Sequence, residues 1–457
     1  MISHLRQIQK FAFFSIISIL TLPLNTTAQS KNPADTVPYL NLDQCIVYAL
    51  QHQPGVLQSA IGIEITKKTN AIYLSGWLPQ VYLGGDFYHY FVLPTAFTTN
   101  QANPGGPPVE VKTGIYNSFT PGLTATENLF SPSLLYAAKS AHLLVQQARE
   151  ANDSTKINTI TTVSTAFYNL LNTLEQINIL REDTAQFAKN LRDAYHQYVG
   201  GIVDKTDYEE AFITLNNSKA QLKQAIENVV PQYASLKQQM GFAPQKEFNV
   251  SFDTAQMMKE IPMDTTQQLQ YEKRIEYQQL ETARSLQQQT INYYRYDFLP
   301  TLSVFYDYDY EYENNNLSNL FSQAYPYSFI GASISIPIFT GFARLENVQK
   351  AKLQGEIIDL NEVNLKSVIY SQYTASLASY KSNLYNLNVL QVNVKMAKDV
   401  YGIVTLQYRQ GIVPYLNVIT AEDNLVSSEI SYVNSLFQVM LSKVNLEKAM
   451  GNIPPNH

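Results

Sequence analysis

One plan is written twice along this chain, and each copy holds only two segments that read as strands. The tripeptide "GIV" recurs at Gly201 and Gly411, 210 positions apart. "QQMG" ending at Gly241 and "KAMG" ending at Gly451 have the same separation. "LPQV" at Pro79 and "LPTL" at Pro300 lie 221 apart, and the motifs around Phe130 and Phe339 lie 209 apart. The fold must therefore be two versions of one unit. The first copy has about 12 more residues between its Pro and Phe markers, which fit the Gly/Pro-rich "TTNQANPGGPPVEV" read as a loop.

The punctuation divides both units alike. The first repeat spans 29–241, with a lead-in helix over 43–75, a β-hairpin over 80–130, a long helix over 133–199 and a return helix over 205–240. Residues 242–265 form a linking, equatorial segment. The second repeat, 266–457, has a lead-in helix over 266–297, a β-hairpin over 301–339, a long helix over 343–409 and a return helix over 415–450. Both lead-in helices stop at Leu-Pro, where a helix cannot continue. Ser131-Pro132 reads as an N-cap and first-turn pair, and Thr340 is expected to cap the second long helix. Gly241 and Gly451 suit the ends of the return helices. A 67-residue helix spans roughly 100 Å, so a lead-in and a return helix stacked end to end would match it. Val426, Ile430, Val433, Phe437, Met440 and Val444 follow heptad spacing, as do Leu222, Ile226, Val229, Tyr233, Leu236 and Met240. A second stripe at Tyr432, Leu436, Val439 and Leu446 calls for neighbours on two sides, as in a wall of helices.

The strand segments, about 80–91, 115–130, 301–313 and 328–339, carry unusual faces. In "VFYDYDYEYENNN", Tyr306, Tyr308, Tyr310 and Tyr312 alternate with Asp307, Asp309, Glu311 and Glu313. A period of two is the strand period. A soluble sheet rarely sets four acids behind its buried face, whereas a membrane barrel is apolar and aromatic outside and polar within. A biased loop running into "ENNN" is the competing reading. In the last segment Ile330, Ala332, Ile334, Ile336 and Ile338 share one face, with Gly331, Ser333 and Ser335 on the other. Four strands are too few for a membrane barrel, and open edges in lipid cost several kcal/mol per unpaired group, so sister copies must complete it. An eight-strand barrel is filled by its own side chains, so a conducting pore needs three or more copies. Three copies would bring twelve of these acids together at the lumen or its mouth. Same-face acids about 7 Å apart are too widely spaced for one compact Ca²⁺ shell, so an electrostatic filter is the expected role.

The N-terminus has Arg6 and Lys10, an apolar run over 11–24 and "NTTAQS", read as a signal peptide over 1–28 cleaved after Ala28. Removing it leaves 30 basic and 38 acidic residues, a net charge of −8 that argues against nucleic acid. No later stretch has 18 consecutive apolar residues, and the 32 tyrosines suit membrane interfaces. Cys45 has no disulfide partner. The histidines (His4, His52, His89, His142, His196 and His457) have no metal-ligand spacing, and there is no P-loop, nucleophile elbow or Cys-His arrangement. No catalytic residue, metal or cofactor is expected. The two readings are an outer-membrane duct and a soluble periplasmic coiled-coil scaffold or adaptor.

"LNLDQCIVYALQHQPGV", "SGWLPQVYLGGDFYHY", "SIPIFTGFARLENVQKA" and the two G-I-V turns occur in an order and spacing that resemble outer-membrane efflux proteins of the TolC-like family. The resemblance covers nearly all of the chain after residue 28. It implies a mainly helical fold with a membrane β part: a homotrimer with a 12-strand β-barrel in outer-membrane lipid, continued by a 12-helix coiled-coil tunnel through the periplasm. It implies an exit duct of a tripartite efflux or type I secretion system, docked to a periplasmic adaptor (membrane fusion) protein and through it to an inner-membrane pump of RND or ABC type. By the same resemblance Gly201, Ile202, Val203, Gly411, Ile412 and Val413 are adaptor-docking tips, and Tyr408 with Asp207 resembles the pair that locks the periplasmic entrance. Packing within a coiled coil is the competing role for Tyr408. Asn417 and Thr420 stand at the lock's remaining positions, where some members have aspartates, and Val413 where such members have arginine. An acidic ring at that height is therefore not implied.

Overall fold

A computed structural model describes residues 39–99, 105–252 and 254–456; the signal peptide expected over 1–28 lies outside them. The elements are β1 (Tyr39–Leu40), α1 (Leu42–His52), α2 (Pro54–Leu74), β2 (Gln80–His89), β3 (Thr95–Thr98), β4 (Val109–Lys112), β5 (Asn117–Phe130), α3 (Pro132–Val199), α4 (Lys205–Met240), β6 (Asn249–Val250), α5 (Thr254–Glu260), α6 (Ile275–Tyr296), β7 (Thr301–Asn314), β8 (Tyr325–Ser335), α7 (Ala343–Arg409) and α8 (Tyr415–Met450).

The long helices α3 and α7, of 68 and 67 residues, run roughly 100 Å each. The shorter helices pack beside them on two levels. Near the sheet the lateral order is α2, α3, α6, α7; at the far end it is α4, α3, α8, α7. The sheet repeats this order: β2, β5, β7, β8, with every neighbouring pair antiparallel. Each strand adjoins its own helix in sequence, so one lateral order serves both the sheet and the wall.

A belt of buried side chains ties the wall at mid-height. Val163, Phe167, Leu170 and Leu171 of α3 meet Leu436, Phe437 and Met440 of α8, and Cys45, Ile46 and Ala49 of α1 join them. The linking segment wraps this belt: β6 pairs in parallel with β1, while Phe248, Met257 and Ile261 enter the core. Tyr380 of α7, 1% exposed, donates from its hydroxyl to the carbonyl of Ile261 at 2.8 Å.

Several expectations shift. The first lead-in helix breaks at Gln53, which precedes proline and is extended (φ −66°, ψ 122°), and Gln53 caps α2 through Val56 N–H at 3.0 Å. The second starts at Ile275 rather than 266. Buried Arg274 stands before it, paired with both Glu276 oxygens at 2.9 and 3.0 Å and donating to the Ala449 carbonyl at 3.0 Å, so it caps the end of α8. Ser131 makes no side-chain cap bond, although Pro132 opens α3. Phe342 at φ 66°, not Thr340, precedes α7. Strand β8 ends at Ser335, which leaves Ile336 and Ile338 outside it. The Gly/Pro-rich segment contributes β4, which pairs with β3. On α4, Ala225 takes the buried place and Ile226 is exposed.

Gly241 and Gly451 close the return helices at φ 67° and 74°. A Cβ on Gly451 would lie 2.7 Å from the Lys273 carbonyl oxygen, and one on Gly241 would lie 2.7 Å from the Gln53 Cα. Both glycines are thus wedged against the start of a lead-in helix. Gly451→Ala is expected to cost at least about 2 kcal/mol, from left-handed strain plus the contact. A thermal melt of the helical signal in detergent should show the loss, whereas Gly402→Ala, in open space, should not.

Candidate functional site

Side chains directly opposite on neighbouring strands share a face, so the register sorts the whole sheet. Ala125 lies opposite Val81 and Tyr306, and Tyr306 lies opposite Ile330. Leu123 lies opposite Leu83 and Tyr308. This face is mostly aliphatic and aromatic across the four strands, interrupted by Ser328 opposite Tyr308 and by Glu127 opposite Val304 toward the helical wall; Ile330 is 79% exposed and Leu83 81%. On the reverse, Gly122 lies opposite Asp309, Thr124 opposite Asp307 and Ser118 opposite Glu313. Asp307, Asp309, Glu311 and Glu313 are therefore brought onto one face, as their alternation requires.

That face has further members. Asp86 lies opposite Thr120, in line with Gly122 and Thr124, so it belongs with the four acids. No lysine or arginine occurs in β2, β5, β7 or β8. Thr124 Oγ1 donates to Asp307 Oδ1 at 2.5 Å. Gly122 leaves the space that Asp309 occupies, since a Cβ there would fall 1.7 Å from its Oδ1. Tyr325, Tyr327 and Phe329 also stand on the acid side, opposite Glu311, Asp309 and Asp307. The "NNN" run is ordered: buried Asn117 donates to the carbonyls of Asn314 and Asn315 at 2.9 and 3.2 Å, and Asn316 caps the short 3-10 turn Leu317–Ser322.

At the other end of the wall the two helical hairpins turn alike. Gly201 and Gly411 adopt φ 70° and 73°, and the Ile202 and Ile412 N–H groups bond back to the Gln197 and Gln407 carbonyls, each at 2.9 Å. Ile202 and Ile412 are exposed, and Val203 and Val413 are half-buried. Behind the turns Ala194, Ala211, Tyr415 and Val418 form a small core, with Tyr401 and Tyr408 against it.

Tyr408 joins the two hairpins, but its hydroxyl donates to Gln197 Oε1 at 2.7 Å, not to Asp207. Burial, then Asp207, then Asp193, push the Tyr408 phenol up to about 12. Asp207 thus acts on Tyr408 through space. Its own carboxyl is raised by burial and by Asp204. Asn417 and Thr420 are exposed, and the Thr420 hydroxyl donates to the Leu416 carbonyl of its own helix. These two are not brought to Tyr408. Gln197 was not singled out, for a glutamine beside a turn has no distinguishing pattern. Glu422 was also missed, although an acid four residues after Val418 interrupts an apolar stripe; Asn190 donates to it at 2.9 Å.

Among the described residues no group of three or more His, Cys, Asp or Glu is placed to hold a metal ion, and no helix is long and apolar enough to cross a membrane. Comparison with known proteins gives matches over most of the chain. Residues 45–242 and 268–452 match the model of the family described as outer membrane efflux protein. A relative described as the probable efflux pump outer membrane protein TtgC of Pseudomonas putida is 22% identical over 342 residues, 73% of this chain and 69% of the relative. Among solved structures, CusC superposes with a TM-score of 0.72 at 15% identity, covering 93% of this chain and 95% of CusC. The outer membrane protein VceC of Vibrio cholerae gives 0.68 at 16% identity, covering 90% and 96%.

Tyr408→Phe removes the hydroxyl that joins the hairpins. A loss of about 1 kcal/mol is expected, which quickens tryptic cleavage after Arg409 about fivefold. In Gln197→Ala the same change should add little, because the partner is already gone.

Proposed function

The chain belongs to the outer membrane efflux protein family, and from that premise we propose that three copies assemble into one passive exit duct through the outer membrane. It is an outer-membrane efflux channel, not a soluble periplasmic scaffold. Its sheet lies in the outer membrane and its helices extend into the periplasm. The observation that carries the trimeric reading is the pair of open flanks. The strands β2 and β8 stand at the two edges of the sheet, and α2 with α4 on one side and α7 on the other end the wall. Both helical flanks carry apolar side chains without cover: Leu353, Ile357, Leu360 and Val363 on α7, and Ile61, Ile65 and Val230 on α2 and α4. A head-to-tail contact buries one flank against the other, and three such contacts give 12 strands and 12 helices at each level. No free strand edge then faces lipid.

The apolar sheet face meets lipid and the acid face lines the lumen, because carboxylates are costly in hydrocarbon and cheap in water. With no lysine or arginine on the four strands, Asp86, Asp307, Asp309, Glu311 and Glu313 favour cations through that part of the pore. The tips at Gly201, Ile202, Val203, Gly411, Ile412 and Val413 dock a periplasmic adaptor, which connects the duct to an inner-membrane pump that supplies the energy. Tyr408, with Gln197 as its partner and Asp207 alongside, holds the hairpins together at the entrance. The TtgC relative from another Pseudomonas putida strain is described as a toluene efflux pump outer membrane protein. Small organic compounds are thus the first cargo to test.

Purified in detergent, the protein should run as a heat-sensitive trimer and form channels in planar bilayers. A monomer stable in plain buffer overturns the duct. Replacing Asp307, Asp309, Glu311 and Glu313 together by Asn or Gln should shift the cation/anion permeability ratio toward one. Unchanged selectivity removes these acids from the filter.

A further inference from the structure

One carboxylate is buried among three helices near the tips. Glu422 of α8 is 2% exposed. Asn190 Nδ2 of α3 donates to both its oxygens, at 2.9 and 3.2 Å, and the Tyr401 hydroxyl of α7 donates to Oε1 at 3.1 Å. Asn190 is itself buried and held by Gln186, whose Nε2 donates to Asn190 Oδ1 at 2.9 Å. The three groups fasten α8 to α3 and α7 at one point, about two turns into α8 from its start at Tyr415. We propose that Glu422, with Asn190 and Tyr401, is a proton-operated clasp that tightens the α8 end of the wall in acid and loosens it as the pH rises.

The surroundings make the clasp sensitive to protons. From α3 the charge that reaches Glu422 is Asp183, and from α8 itself it is Asp423; both are acids. From α7 comes Tyr401, while Lys398 of the same helix is engaged by Glu429 at 2.8 Å. Asp193, His196 and Arg409 line the adjoining cavity of about 350 Å³, together with Tyr408 and Tyr415. Burial pushes the Glu422 carboxyl up to about 7; the Tyr401 and Asn190 hydrogen bonds hold it down, and Asp183 and Asp423 push it further up. Asp183 is also raised to about 7, by burial and then Glu429 and Glu182, with Lys398 opposing.

The packed state thus binds the Glu422 proton more tightly than a solvated carboxyl at 4.5 does. The stability this adds is full below the solvated value and is lost as the pH rises through about 7. Between pH 5.5 and 7.5 the packed-to-loosened ratio should fall about twenty-fold from this one group.

The test is hydrogen exchange of the full chain in detergent at pH 5.5 and 7.5, corrected for intrinsic rates and read over residues 415–430. The expected result is at least about twenty-fold lower protection at the higher pH, Asp183 adding to the fall in the same direction. Glu422→Gln, which keeps the shape of the neutral acid, should lose the Glu422 share of this fall and keep only the part that Asp183 contributes. Tyr401→Phe, which removes a donor to the ionised form, should steepen the dependence. A flat wild-type profile overturns the clasp, as does a Glu422→Gln chain that keeps the wild-type slope, or an Asp183→Asn chain that alone loses it. What the clasp controls rests on the duct reading, and single-channel conductance separates the two. An exchange slope without a matching rise of conductance with pH keeps the clasp and removes the entrance from this end.

Discussion

The backbone groups along the outer edges of β2 and β8 set the terms for everything else. A sheet of four antiparallel strands has two such edges, and in lipid each unpaired N–H or C=O costs several kcal/mol. Water would forgive those edges, but the face built from Leu83, Leu123, Tyr308 and Ile330 has no use in water. Both facts favour the proposed assembly, in which the ladder continues from chain to chain. Because the strand order repeats the order of the helices behind it, extending the ladder also extends the wall. In the proposed trimer the step that satisfies the strand edges also sets α7 of one copy beside α2 and α4 of the next and covers their apolar stripes.

The wall achieves its length with little core. A helix of 68 residues cannot be buried along its whole extent in a chain this size, so the apolar side chains concentrate at mid-height, where α1, α5 and the linking segment thicken it. The two levels meet there. Gly241 closes against Gln53 and Gly451 against Lys273, so each return helix abuts a lead-in helix end to end. Arg274 strengthens the second junction by satisfying the Ala449 carbonyl and the Glu276 carboxylate together. The break in the first lead-in helix and the late start of the second are therefore the geometry of one joint, realised with different residues.

Most of this architecture was legible before any coordinates. Long helices announce themselves through uninterrupted periodicity and terminal glycines, and the bounds of α4, α7 and α8 coincide with those read from sequence. The alternation of tyrosines and acids in β7 fixed its faces, because a period of two permits one assignment. Asp86 escaped notice because "GGDFYH" has no such alternation; only the register across β5 aligns it. The break at Gln53 was also present in the sequence, as a residue before proline, but a continuous apolar pattern on both sides concealed it. The tip contacts were the least legible. Tyr408 and Gln197 are 211 residues apart, and a partner for a tyrosine follows from packing rather than from local pattern.

The distribution of buried side chains also explains why single polar contacts matter at one end and not at the other. At mid-height, buried side chains from six helices and the β1–β6 pair interlock, so one hydrogen bond is a small share of what holds them. Near the tips the core shrinks to Ala194, Ala211, Tyr415 and Val418. Elements with few buried apolar contacts open locally at low cost. In that setting one bond of about 1 kcal/mol, such as Tyr408 to Gln197, is a large share of what holds the hairpins together. A buried carboxylate without a cation to neutralise it then shifts the balance by a comparable amount with pH. If the proposed entrance stays shut at rest and opens on demand, this combination suits it: a rigid belt that keeps its register and a thin end held by a few polar groups.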